Sequence, residues 1–310
     1  MGRTDGDTWD ITESVGATAL SVARARAVES QAGCPLFIDP YADFFVAAAV
    51  AAGWRPPFAA ETLARFSDAP IVARQMQVMA AYIACRTRYF DEFFTTAGAN
   101  GLDQVVILAA GLDTRAWRLP WISGTVIYEL DQPKVLAFKA EVLDSHNARP
   151  AARHVPVAVD LRHDWPDALR ARGFDPKIPT AWLAEGLLPY LSAPDQDLLF
   201  DRLDELSAEG SRLAVEAFGP DFFDPEVLAR RRELLREVRQ AATAKGLEVP
   251  ETEALWYLEP RSDVNEWLQE RGWEVAVTGS RELMARYQRP APEGAEDAAP
   301  KSLFVEAVRG

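Results

Sequence analysis

QVVILAAGLDTRAWRL, Gln104 to Leu119, is the stretch that decides the fold. Its short apolar, β-branched start reads as a buried strand that ends at Ala109 and Ala110. The chain turns through Gly111 and enters a helix beside Asp113 and Thr114. Downstream, TVIYEL, HVPVAVD, TAWLAE and RLAVEAF are runs of the same kind, separated by helical segments. Five such strands with crossover helices predict an α/β fold, a doubly wound parallel sheet. Two further strand candidates, WEVAVTG and SLFVEAV, predict a terminal antiparallel pair, joined by a polar loop around Pro290 to Pro300.

Ahead of this region the texture is helical. SVGATALSVARARAVES spaces its apolar residues on one face, and IVARQMQVMAAYIACRTRYFDEFF continues the pattern after the Asp39-Pro40 helix start. The change of texture at Gly98 to Gly101 divides the chain into a helical cap over 1–97 and a Rossmann-like core over 98–310. A helical insertion is expected over 219–272. Within it, DPEVLARRRELLREVRQ opens with a good Asp224-Pro225 cap and reads as a helix with a solvated arginine face.

Ligands of open α/β sheets bind beyond the carboxyl ends of the strands. A glycine at the Gly111 turn lets a ligand approach the backbone, although a tight strand-to-helix turn alone would also want one. Asp131, which ends TVIYELD twenty residues beyond Gly111, can accept both hydrogen bonds of a ribose diol; a helix cap is its plainer role. Together the two residues predict a nucleoside-containing ligand. A pyrophosphate needs several close glycines, whereas AAGLDTRAW offers one, and Asp113 would repel it. S-adenosylmethionine carries no phosphate and presents an ammonium, so the expected cofactor is S-adenosylmethionine rather than NAD. Asp160 can accept from the adenine amino group and the Leu161 N–H can donate to a ring nitrogen, while capping of the next helix is the competing role for Asp160. Glu185, ending the fourth strand, lies where the reactive end of the ligand is expected, with Tyr190 nearby on the acceptor side.

Composition narrows the partners. The net charge of −14 disfavours nucleic acid, whose binding is driven by Lys and Arg. Cys34 and Cys85 are far apart, which fits a reducing compartment. MGRTDG lacks a secretion signal and the longest apolar run, Phe44 to Gly53, is too short for a span, so a cytoplasmic protein acting on a small molecule is expected. His146, His154 and His163 are not at metal-ligand spacing, and no metal is expected. No side chain declares itself as a catalytic base.

The blocks ITESVGATALSVARARAVES, PLFIDPYADFF, RTRYFDEFF, ILAAGLDTRAWRL, YELDQP, VAVDLRHDW and AEGLLPYL together resemble a known family. It is that of the mycobacterial and actinobacterial S-adenosylmethionine-dependent methyltransferases related to the leucine carboxyl methyltransferases. The resemblance spans nearly the whole chain, and GLDTRAWRL is its most specific block. It implies a class I methyltransferase fold, with Asp131 at the ribose, Asp160 and Leu161 at the adenine, and Gly111 beneath the methionine portion. It also implies Arg86 at the methionine carboxylate, Glu185 at its amino end, and Arg24 as a second basic contact. The family's glycine two residues before Gly111 is Ala109 here. The expected reaction is methyl transfer to a small carboxylate or another oxygen acceptor. An NAD- or nucleotide-sugar-linked enzyme, or a silent S-adenosylmethionine-binding protein, are the alternatives.

Overall fold

The computed structural model describes residues 14–55, 70–244, 255–295 and 298–310. The first residues of the ITESV block, the 56–69 stretch and part of the expected insertion lie outside these. Three helices lead the described chain: α1 (Ser14–Ser30), α2 (Ala42–Ala51) and α3 (Pro70–Ala99). The core then alternates β1 (Gln104–Leu108), α4 (Arg115–Arg118), β2 (Val126–Asp131), α5 (Pro133–Ser145), β3 (Arg153–Ala158), α6 (Trp165–Ala171) and β4 (Thr180–Ala184). It continues through α7 (Ala193–Glu205), β5 (Arg212–Phe218), α8 (Pro225–Thr243), α9 (Val264–Glu270), β6 (Trp273–Gly279), α10 (Ser280–Arg286) and β7 (Ser302–Arg309).

The seven strands form one sheet in the order β3-β2-β1-β4-β5-β7-β6. Strands β1 to β5 are parallel, and β7 runs antiparallel to both β5 and β6. The expected parallel sheet with a terminal antiparallel pair is therefore the observed one. Residue type follows position in the sheet. The central strands β1 (QVVIL) and β4 (TAWLA) are buried at every residue. The edges are more open: β3 is exposed or half-buried at every residue but Val157 and carries Pro156, which lacks the N–H that an inner strand would need. An unexpected element is α10, a short helix inside the connection read as a loop.

Two hydrophobic clusters cover the two faces of the sheet. One joins Val105, Ile107, Ala181 and Leu183 to Phe45, Phe90 and Phe94 of α2 and α3. The other joins Val106, Leu108, Trp182 and Leu213 to Trp165 of α6 and Leu199 and Phe200 of α7. Successive strand residues point to opposite faces, so β1 supplies both clusters. Among the described residues no helix is long and apolar enough to cross a membrane.

Chain order reverses between β1 and β4, because β1 leads to β2 on one side and β3 returns to β4 on the other. This switch point opens a crevice at the strand ends. There β1 stops at Leu108, one residue short of the expected end, because Ala109 turns left-handed at φ 49° and Gly111 follows at φ 50°. A left-handed alanine costs roughly 1–2 kcal/mol. That strain stands where the resembling family has a glycine.

Candidate functional site

A cleft of about 260 Å³ opens at the switch point. The β1–α4 turn forms its floor, β2 and β3 end on one side, β4 ends on the other, and α1 covers it with Thr18, Ala19 and Val22. Eight residues singled out from the sequence line it together: Arg86, Gly111, Asp113, Asp131, Asp160, Leu161, Glu185 and Tyr190.

Asp131 ends β2 beside the turn. Its Oδ2 accepts the Gly111 N–H at 2.6 Å and its Oδ1 the Gln132 N–H at 2.6 Å. Desolvation outweighs these donors and pushes the carboxyl up to about 6. Asp160 is held differently. Burial would raise its carboxyl, but Arg162 donates through Nε and Nη2, at 3.0 and 2.6 Å, and through its backbone N–H, and the net shift is downward. Asp160 is thus a preset acceptor and not a helix cap, since the following helix, α6, begins at Trp165 with Asp164 before it. Tyr190 lies in a single 3-10 turn after β4, and its hydroxyl donates to Thr18 Oγ1 at 3.3 Å, tying that turn to α1.

The acids at the mouth do not stand alone. Arg115, buried under the turn, donates to Asp91 Oδ1 at 2.7 Å, to Asp113, and to Glu185 Oε2 at 2.8 Å. Burial alone would raise the Asp113 carboxyl, but Arg115, with Lys139 and Arg26 behind it, holds it at about 2. Arg86 lies 2.8 Å from Glu185 Oε1 through Nε and donates to Glu216 Oε2 at 2.9 Å through Nη1. Arg118 continues the chain to Asp91 and Asp39, and Arg26 joins Asp39 at 3.5 Å. The acids Asp39, Asp91, Asp113, Glu185 and Glu216 thus alternate with Arg26, Arg86, Arg115 and Arg118. The carboxylates exceed the guanidiniums by one formal charge, which a cationic ligand would balance.

Arg24, expected as a basic contact, is not among the residues lining the cleft; it lies 3.9 Å from Asp43 of α2. Two positions along a helix are about 200° apart, so the next arginine of the ARAR run faces the other way. That residue, Arg26, lines the cleft and donates to the Leu112 carbonyl at 2.5 Å. The apolar residues of α1 are spread around the helix rather than gathered on one side, so its sequence does not choose between the two arginines. Arg115, Arg162 and Glu216 carry no spacing signal in the sequence either: each acts through a partner distant in the chain or beside it, and none belongs to a periodic pattern that would mark it.

The turn after Glu185 depends on its glycine. Gly186 is left-handed at φ 63°, its N–H donates to Glu216 Oε2 at 3.0 Å, and an added Cβ would lie 3.5 Å from Arg86 Nη1. Gly186→Ala is expected to lose about 1–2 kcal/mol through backbone strain. In a thermal melt that is a fall of several degrees; an unchanged midpoint would show that the turn relaxes freely.

The cleft combines carboxylate acceptors, an open backbone turn and an acidic end, the kind of lining that a cationic nucleoside ligand such as S-adenosylmethionine needs. Comparison with known proteins agrees. The model of the leucine carboxyl methyltransferase family matches residues 19–204. A protein of Mycobacterium avium (strain 104) named as an S-adenosyl-L-methionine-dependent methyltransferase is 53% identical, covering 99% of this chain and 98% of its own length. One of the same name from Mycobacterium tuberculosis (strain ATCC 25177 / H37Ra) is 52% identical over 100% of this chain and 99% of its own. Among solved structures, a DUF574 family protein from Streptomyces avermitilis aligns at 14% identity with a TM-score of 0.49, over 93% of this chain and 97% of that one.

Proposed function

Because the chain belongs to the leucine carboxyl methyltransferase family and is an S-adenosyl-L-methionine-dependent methyltransferase, we propose that it methylates an oxygen of a small carboxylic acid. The observation that carries this reading is the pairing of the acids at the mouth. Asp113 and Glu185 are both engaged by arginines, and among the described residues no histidine lines the cleft. A hydroxyl or amine acceptor often needs a general base, whereas a carboxylate is already an ionised nucleophile at neutral pH.

In this reading Asp131 accepts the ribose diol, and Asp160 with the Leu161 N–H reads the adenine edge. Gly111 leaves room beneath the methionine portion, Arg86 meets its carboxylate, and Glu185 and Asp113 face its amino end. Arg26 takes the part first given to Arg24. The helices of the 1–97 region serve as the cap, and Tyr190 with Thr18 borders the acceptor side. The bound S-adenosylmethionine supplies a methyl group on a sulfonium, which makes the transfer an in-line displacement. What the protein contributes is orientation at near-attack distance, worth on the order of 7–11 kcal/mol in well-aligned cases.

The test is a methyl-transfer screen over carboxylate, phenol and amine acceptors, followed by a pH profile of the chemical step. A carboxylate with pKa near 4 is ionised throughout the neutral range, so the rate is expected to be nearly flat between about pH 6.5 and 8.5. A steep rise over that interval, or a product methylated on nitrogen or carbon, would overturn the carboxylate assignment.

A further inference from the structure

Glu216 sits near the end of β5, outside the cleft lining, yet its carboxylate gathers four donors from three parts of the chain. Oε2 accepts from Arg86 Nη1 at 2.9 Å and from the Gly186 N–H at 3.0 Å. Oε1 accepts from the Tyr82 hydroxyl and, at 3.4 Å, from Ser302 Oγ on β7. Its side chain is only 11% exposed. A buried carboxylate with this many donors is costly to place unless every lone pair is used, and here the donors come from α3, the β4 turn and β7.

Two of those donors belong to the cleft. Arg86 lines it, and Gly186 directly follows Glu185, whose carboxylate is the other partner of Arg86. The Arg86 Nε is 2.8 Å from Glu185 but off the angle of a hydrogen bond, so the bond that fixes the guanidinium is the one to Glu216. A planar guanidinium anchored at one Nη can turn only about that bond, and the Glu185 pair removes most of that freedom. Without Glu216, Arg86 would swing toward Glu185, and the Gly186 N–H would lose its acceptor.

We propose that Glu216 is a positioning residue that aims Arg86 and the Glu185–Gly186 turn at the amino-acid end of the bound cofactor. The inference rests on the reading that Arg86 meets the methionine carboxylate. Glu216 lies outside the cleft lining and bonds to neither Asp131 nor Asp160. Its influence is therefore confined to the part of the ligand that Arg86 and Glu185 contact.

The confinement gives a clean test by calorimetric titration with two probes. S-adenosylhomocysteine carries the amino-acid end, and 5′-methylthioadenosine is the same thionucleoside without it. Glu216→Ala is expected to weaken S-adenosylhomocysteine about tenfold, the size of one charge-assisted hydrogen bond, and to leave 5′-methylthioadenosine unchanged. Glu216→Gln fits the same space and can keep its oxygen on Arg86 and Gly186 while its amide donates to the two hydroxyls. Having lost only the charge, it is expected to shrink the ratio of the two affinities about threefold, and it carries the test alone should the alanine variant fail to fold. A parallel loss of both probes would mean a merely structural role, and an unchanged ratio in the folded variants would mean none; either overturns the proposal. Arg86→Met separates the role of Glu216 from that of Arg86. If it lowers the ratio while the Glu216 variants do not, the inference fails and the reading of Arg86 stands. If it leaves the ratio unchanged, that reading fails as well.

Discussion

Arg115→Ala is expected to lower the free energy of unfolding by about 3–5 kcal/mol, the range for breaking a buried ion pair by removing one partner. Arg115 is 1% exposed, and its guanidinium bridges Asp91, Asp113 and Glu185, each from a different element. Without it, carboxylates that now share one cation would face one another in a space that water reaches poorly. Arg86 and Arg118 each hold one of them but neither reaches Asp113. Protonation is the relief open to the variant, so its deficit is expected to shrink as the pH is lowered from about 7.5 to 5. The wild-type protein behaves in the opposite sense. Asp113, held at about 2, contributes stability that is complete above about pH 4 and is lost as pH falls toward 2. Urea unfolding at two pH values measures both effects. A loss below about 1 kcal/mol at neutral pH would show that water, not Arg115, compensates these acids.

Asp131→Ala is expected to weaken S-adenosylmethionine at least about tenfold. Hydrogen bonds to a charged acceptor contribute roughly 1.5–3 kcal/mol each, and a factor of ten corresponds to 1.4 kcal/mol. The wild-type pH dependence provides an independent check. Because desolvation places the Asp131 carboxyl at about 6, protonation below that pH removes an acceptor from the site. Affinity is expected to rise with pH up to about 6 and to level off above it; Asp131→Asn, which cannot titrate, is expected to show weaker and flat binding. Stability runs the other way. A raised carboxyl binds its proton more tightly in the folded state, so the contribution of Asp131 to folding falls as pH climbs from about 4 to about 6. Wild-type affinity that does not change between pH 5 and 7.5 would remove Asp131 from direct contact with the ligand.

The strand pattern and the ends of the strands were legible because they depend on local chemistry. Short runs such as VVIL or AWLA, flanked by turns and alternating with helical segments, are the pattern of a buried parallel sheet, and a polar residue ending such a run lies at the rim. Chain order alone then brings the ends of β1, β2, β3 and β4 to one crevice, which is why Gly111, Asp131, Asp160 and Glu185 can be grouped from the sequence. The short helix α10 escaped because a single turn or two of helix leaves no periodicity to read.

What the sequence by itself determined, then, is the sheet, its switch point and the acids at its rim, since each follows from burial and the period of the strand. Which arginine meets which acid was decided only in the tertiary structure. Arg24 and Arg26 share one helix and one residue type, and the rotation of α1 against α2 sends the first to Asp43 and the second to the cleft. Glu216 likewise reads as an ordinary strand residue until α3, the Gly186 turn and β7 bring Tyr82, Arg86 and Ser302 around it. Burial is a property that a short window of sequence records, but the pairing of charges across 70 or 130 residues depends on how the elements dock, and no local pattern carries it.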